Sequence, residues 1–186
     1  STIIIVSIVN TIDPFDFLLD LERCCQANAS GLPTLDKSDD EWVGIGFRIG
    51  EDKLIAPMSE IEEILELPDF TYVPGVKSWM VGIANVRGGL LPLMDLKGFI
   101  LGEDIKNRKK GRVIVIDYKG FNTGILVEEV YGMKHFSSKE QSNKLPEMHE
   151  NVSRYVGMAF NQEGGSWPVF SFLSMTQDER LAQASL

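Results

Sequence analysis

Residues able to do chemistry are plentiful in this 186-residue chain, but few of them are grouped. Carboxylates crowd into "EIEEILE" (residues 60–66) and Glu128-Glu129, and two acids converging on one pocket could supply a general acid and base. No spacing pairs them, so a solvated acidic face that steers and registers a protein partner is the simpler reading. His135 and His149 lie in polar sequence without metal-ligand spacing, and neither a metal nor a cofactor is expected. The G-x-S-x-G nucleophile elbow and the G-x-x-x-x-G-K-[ST] phosphate loop are both absent from the sequence. "GIGFRIG" (residues 44–50) imitates a dinucleotide loop, but its spacing is wrong and its alternating apolar residues make it a strand. The expectation is a protein that is not an enzyme.

One arginine stands out. Arg87 sits in "VGIANVRGGLLPLMDL" (residues 81–96), among apolar residues and just before two glycines. It could form a carboxylate pair with Asp95, worth little if exposed. Equally, a forked donor beside exposed apolar residues is a common interface anchor. A second group of cations, Lys106, Arg108, Lys109, Lys110 and Arg112, falls between two apolar stretches and reads as a solvated loop or as a local anion or partner site.

These residues belong to an acidic chain, with net charge -9 and pI near 4.7. Its long-range field repels phosphate backbones and anionic membranes, so nucleic acid is not an expected partner. No apolar run reaches the roughly 18 residues a membrane span needs, so no direct membrane insertion is expected. Cys24 and Cys25 are adjacent and the sequence has no other cysteine, which fits a reduced, cytoplasmic setting rather than a disulfide framework. The start, "STIIIVSIVNTI", lacks the positive n-region and cleavage site of a signal peptide. Its β-branched run reads as a strand needing cover, which a second chain could provide, so a homo-oligomer through this extension is a possible arrangement.

The elements that must carry these residues follow from periodicity. Asp13 can cap a helix opened by Pro14, with Leu18, Leu21 and Cys25 on one face, until Gly31-Leu32-Pro33 ends it; the helix spans 14–30. "TLDKSDDE" (residues 34–41) reads as a polar linker, so residues 1–41 form an extension and 42–181 the main domain. From Trp42 the period is two: Val43, Ile45, Phe47 and Ile49 alternate, a turn follows at Gly50-Glu51-Asp52, and Leu54 to Pro57 returns as a hairpin. "MSEIEEILELP" (residues 58–68) satisfies helix and strand spacings alike. Val113 to Ile116, the Lys119-Gly120 turn and Gly124 to Val130 make another hairpin.

The stretch around Arg87 also repeats. "VGIANVRGGLLPLMDL" from Val81 and "VGMAFNQEGGSWPVFSFL" from Val156, about 75 residues on, share V-G-x-A, paired glycines and a proline three residues after the second glycine. Each reads as strand, glycine turn, strand, with the paired glycines supplying positive φ. Two similar small lobes of about five short strands follow, mainly β, closed barrels rather than a parallel sheet. A small barrel could also bind nucleic acid or oligosaccharide, but the acidic balance argues against that use.

"VGIANVRGGLLPLMDLKGFI" resembles the G-x-x-N-x-R-G-x-x-x-P-x-x-D-L signature of the CheW family of bacterial chemotaxis coupling proteins, with Gly82, Asn85, Arg87, Gly88, Pro92, Asp95 and Leu96 in register. "GFRIGEDKLIAPMSEIEEIL" and "GILVEEVYGM" resemble flanking parts of the same family. The resemblance covers roughly Trp42 to Leu181. It implies two interlocked five-stranded β-barrel subdomains, behind an N-terminal amphipathic helix in this chain, and a non-catalytic adaptor without cofactors. Such an adaptor bridges the cytoplasmic tip of a methyl-accepting chemoreceptor and the regulatory domain of a CheA-type histidine kinase, and is recruited to membrane receptor arrays.

Carried over by the same resemblance, the receptor-facing positions are Ile61, Glu63, Gly82, Arg87 and Met133; no kinase-facing position carries over. Ile61 and Met133 would line an apolar groove for a receptor helix, with Glu63 and Arg87 setting its register. The leader "DPFDFLLDLERCCQANASGLP" resembles that of the family branch serving type IV pili and twitching motility; the flagellar branch is the alternative. Ser171, where the repeat has Asp95, and Trp167 before Pro168 depart from the pattern.

Overall fold

A computed structural model describes residues 41–182. The apolar start, the helix expected over 14–30 and the linker up to residue 40 lie outside the described residues, as does any homo-oligomer contact made through them. In chain order the strands are β1 (Glu41–Ile49), β2 (Asp52–Pro57), β3 (Glu63–Glu66), β4 (Phe70–Thr71), β5 (Met80–Val86), β6 (Gly89–Asp95), β7 (Arg112–Tyr118), β8 (Phe121–Val127), β9 (Glu129–Ser137), β10 (Gln141–Ser142), β11 (Val156–Gln162) and β12 (Gly165–Phe170). Four short helices join them: α1 (Leu96–Leu101), α2 (Glu150–Ser153), α3 (Phe172–Thr176) and α4 (Glu179–Ala182). The chain is mainly β, as its alternating apolar pattern requires.

Two sheets result, ordered β10-β11-β12-β2-β1-β9 and β4-β5-β6-β8-β7-β3. Laid side by side they match strand for strand, each with five longer strands and one of two residues (β10, β4). Hairpin β11–β12 answers β5–β6, hairpin β1–β2 answers β7–β8, and the parallel contact β12·β2 answers β6·β8. The sequence repeat therefore marks a repeat of the whole sheet. The sheets are not successive lobes, however: β1 and β2 pair with β9 to β12, while β3 to β8 form the other sheet. The chain enters one sheet, builds the second, and returns, which interlocks them.

The first sheet rolls on itself. Phe136 on β9, one end strand, stacks on Phe160 of β11, near the other end, with ring centroids 4.7 Å apart, and Trp42 packs on Phe160 at the same distance. Gln162 on β11 also donates to the His135 carbonyl of β9 at 3.0 Å. The second sheet encloses Val81, Leu91, Leu93, Val113, Val115 and Leu126. Alternate residues on the same strands, Met94, Ile114, Ile116 and Ile125, join Phe47, Leu54, Phe170 and Phe172 in a larger core between the sheets. Strands buried on both faces explain the nearly continuous apolar run of β7.

The ambiguous stretch 58–68 resolves into a 3₁₀ turn, Met58–Glu60, followed by β3. In the glycine pairs, only one member of each takes positive φ: Gly88 (84°) in the first and Gly165 (124°) in the second. Both tips are two-residue loops, Arg87-Gly88 and Glu163-Gly164, but they differ in backbone conformation. Among the described residues no helix is long and apolar enough to cross a membrane.

Candidate functional site

Hairpin β5–β6 closes with Val86 paired to Gly89, leaving Arg87 and Gly88 as the two loop residues. Their φ angles are 51° and 84°, the doubly positive pattern of a type I′ turn that matches strand twist. Gly88 adopts this without cost; Arg87, with a Cβ, does not. Asn85 holds the turn: its Oδ1 accepts the Gly88 amide at 3.1 Å. The N-x-R-G part of the signature is thus a clamp that displays an arginine in a conformation it would not choose.

Arg87 Nη2 donates to Glu63 Oε1 on β3. The Arg87 side chain is 77% exposed and that of Glu63 26%, so the guanidinium keeps most of its surface for another partner. The carboxylate pair with Asp95, one of the two readings of Arg87, does not form. β6 extends from Gly89 to Asp95, and seven residues in a strand span roughly 20 Å, which puts Asp95 at the far end from the turn. There it is fully buried and caps α1, accepting from Gly98 N at 3.0 Å and Ile105 N at 2.9 Å, with Arg108 at 3.6 Å. Burial pushes the Asp95 carboxyl upward from the ordinary carboxylate range, against the pull of those two amides and Arg108.

Ser171 occupies the matching cap in the repeat and accepts from Ser174 N at 3.1 Å. The missing carboxylate comes from Glu60, which accepts from Ser171 Oγ at 3.0 Å and from Leu173 N at 3.2 Å. The departure at Ser171 is compensated across the sheets.

Of the other anticipated receptor-facing residues, Ile61 lies two positions before Glu63 and packs, partly buried, against the inter-sheet core. Met133 belongs to the other sheet, opposite Ile45 on β1, and is 55% exposed. Gly82 is buried, with φ of 153°, and a Cβ there would run into the Thr71 carbonyl and the Phe70 ring of β4. It shapes the edge of the sheet and presents no side chain. The structure therefore brings Arg87 and Glu63 into contact, with Ile61 close in sequence, while Gly82 lies within β5 and Met133 on β9 of the other sheet.

The roles of Asn85 and Glu60 went unread in the sequence. Asn three residues before a glycine is a readable signal for the first; the second depends on tertiary contact. The same holds for the C-terminal clasp, where Tyr155 Oη donates to Asp178 at 2.5 Å and Arg180 bonds both Asp178 and Tyr155 at 2.9 Å. Arg180 also lies over the Phe99 ring at 4.4 Å. Among the described residues, no group of three or more His, Cys, Asp or Glu could hold a metal ion.

The family model for CheW-like domains matches residues 43–180. Protein PilI of Pseudomonas aeruginosa is 40% identical over 89% of this chain and 93% of its own length. The chemotaxis protein CheW of Thermotoga maritima is 29% identical over 59% of this chain and 72% of its own. In solved structures, the scaffolding protein TtCheW of Thermoanaerobacter tengcongensis superposes with a TM-score of 0.60 at 18% identity, covering 69% of this chain and 88% of that one, a likeness of fold. With the rolled sheets, the clamped Arg87 turn and a match spanning the described domain, this chain belongs to the CheW-like domain family.

Proposed function

We propose that this protein is a non-catalytic adaptor that couples a methyl-accepting chemoreceptor to a CheA-type histidine kinase in the chemosensory system controlling type IV pilus twitching motility. The observation that carries the reading is the Arg87–Glu63 pair, an exposed guanidinium held at positive φ by Asn85. Backbone strain kept at an exposed tip is characteristic of a site under functional demand. The extent of the similarity to PilI supports the pilus branch over the flagellar one.

In this reading Arg87 and Glu63 exchange part of their mutual contact for polar groups on the receptor tip, and so fix the register of its helix. Ile61 and Met133 supply apolar contacts bordering the core between the sheets, and Gly82 acts through the position of β4. The output is geometric, a bias in which kinase conformation the assembly favours, and many copies add avidity. The protein works in the cytoplasm, at membrane receptor arrays.

The test is co-assembly. The purified full chain is mixed with a receptor-tip helical hairpin and the kinase regulatory domain, and complexes are resolved by size-exclusion chromatography with light scattering. A ternary peak that needs this protein supports coupling; its absence with each component folded contradicts it.

A further inference from the structure

The cationic loop between α1 and β7 is held rigidly. Ile105 is buried in the core of the second sheet and its amide bonds Asp95. Arg108 to Lys110 form a 3₁₀ turn closed by Gly111 N to Arg108 O at 3.0 Å. A Cβ on Gly111 would press on the Val127 carbonyl and Leu126, so the loop lies tight against β8.

The five cations divide into two kinds. Arg108 is engaged by Asp95 and Asp104 at 3.6 and 3.3 Å, and Arg112 by Glu66 at 3.5 Å. Lys106, Lys109 and Lys110 are exposed and make no ion pair with the described residues. Lys109 and Arg108 border a groove of about 530 Å³ whose other walls are Leu67, Pro68 and Phe70 with the carboxylates Glu66, engaged by Arg112, and Asp69. Phe70 is 38% exposed. Arg112 opens β7 and Lys119 follows its far end, so this surface lies at the opposite end of the second sheet from the Lys119-Gly120 turn. The parallel register of β6 on β8, Leu93 opposite Gly124, puts the Arg87 turn at the same end as the Lys119-Gly120 turn, away from the cationic loop.

We propose that Lys106, Lys109 and Lys110, on one short loop of which Lys109 borders the Phe70 groove, dock an acidic segment of a partner protein carrying an aromatic or aliphatic anchor. Charge complementarity identifies the occupant: on a chain of net charge -9, three neighbouring lysines without an ion-pair partner among the described residues attract an acidic segment. The apolar wall gives such a segment an anchor that a diffuse counterion would not use. A preformed loop lowers the ordering cost of binding. This surface is separate from the Arg87 turn, so its fate does not depend on the receptor-facing reading.

The experiment is fluorescence anisotropy with the full chain and a labelled twelve-residue Asp/Glu peptide containing one Phe and one Leu. Parallel arms use the same peptide with Ser at the two apolar positions, and anionic lipid vesicles. The triple variant K106S/K109S/K110S is compared with K77S/K139S/K144S, which removes the same charge from exposed lysines elsewhere; melting curves verify that both fold. Docking requires salt-sensitive binding of the Phe/Leu peptide, about tenfold weaker in the first variant. It also requires little change in the second and weaker binding of the Ser peptide. No binding, equal loss in both variants, equal affinity for both peptides, or capture of vesicles but not peptide through the three lysines would each overturn it.

Discussion

Arg87, at the tip of hairpin β5–β6, is ion-paired to Glu63 on β3 although β7 and β8 lie between that hairpin and β3 in the sheet. The contact exists because the sheet rolls, bringing its distant strands together at the end where Arg87 projects. A surface pair this exposed contributes about 1 kcal/mol or less to stability, while a non-glycine residue at positive φ costs about 1–2 kcal/mol. The balance is unfavourable to folding, which supports the binding role proposed for the arginine.

Arg87→Gly separates the two effects. The substitution relieves the φ penalty and loses a weak ion pair, so urea denaturation should show stability within about 1 kcal/mol of wild type. Affinity for the receptor-tip hairpin should fall.

Asn85→Ala acts one step earlier. Losing the Oδ1 acceptor for Gly88 N frees the turn, at a stability cost of about 1 kcal/mol by chemical denaturation. Arg87 keeps its identity but not its placement, so receptor affinity should fall with it, and fall no further in the double variant with Arg87→Ala.

The two helix caps should respond unequally. Asp95→Ala strands two buried amides and removes the partner of Arg108, for a loss of roughly 3 kcal/mol. Ser171→Ala removes the bond from Ser174 N and the bond to Glu60, while Glu60 still receives Leu173 N, for about 1 kcal/mol. Thermal unfolding of the two variants should rank them in that order.

Acid should loosen the C-terminal clasp. Hydrogen bonds from Arg180 first, and also from Tyr155, hold the Asp178 carboxyl below its ordinary value of 3.8. A depressed folded value means the stabilisation is full above 3.8 and is lost as pH falls below it. The stability difference between wild type and Asp178→Asn should therefore shrink as pH drops below 3.8, followed by thermal unfolding across pH.

Local patterning made the hairpins legible. The alternation from Trp42 to Ile49 and the Lys119-Gly120 turn appear where expected, and the repeat of Val81 and Val156 proved to be a repeat of entire sheets. The exchange of β1 and β2 into the sheet of β9 to β12 was visible only through family resemblance, since which strands pair is a tertiary choice that period-two patterning does not encode. Residues 58–68 were ambiguous because a 3₁₀ turn and a four-residue strand, joined, sample both periodicities. Arg87 stands out by its surroundings, yet the candidate carboxylate near it in sequence is Asp95; strand length carries Asp95 away, and sheet curvature brings Glu63 in.

The most direct measurement is calorimetric titration of the receptor-tip hairpin into the wild-type chain and into Arg87→Gly. Receptor docking through Arg87 requires saturable binding by wild type, weakened about tenfold or more in a variant that melts no lower than wild type. A wild-type chain that is folded and does not bind, or an Arg87→Gly variant that binds with unchanged affinity, would contradict it.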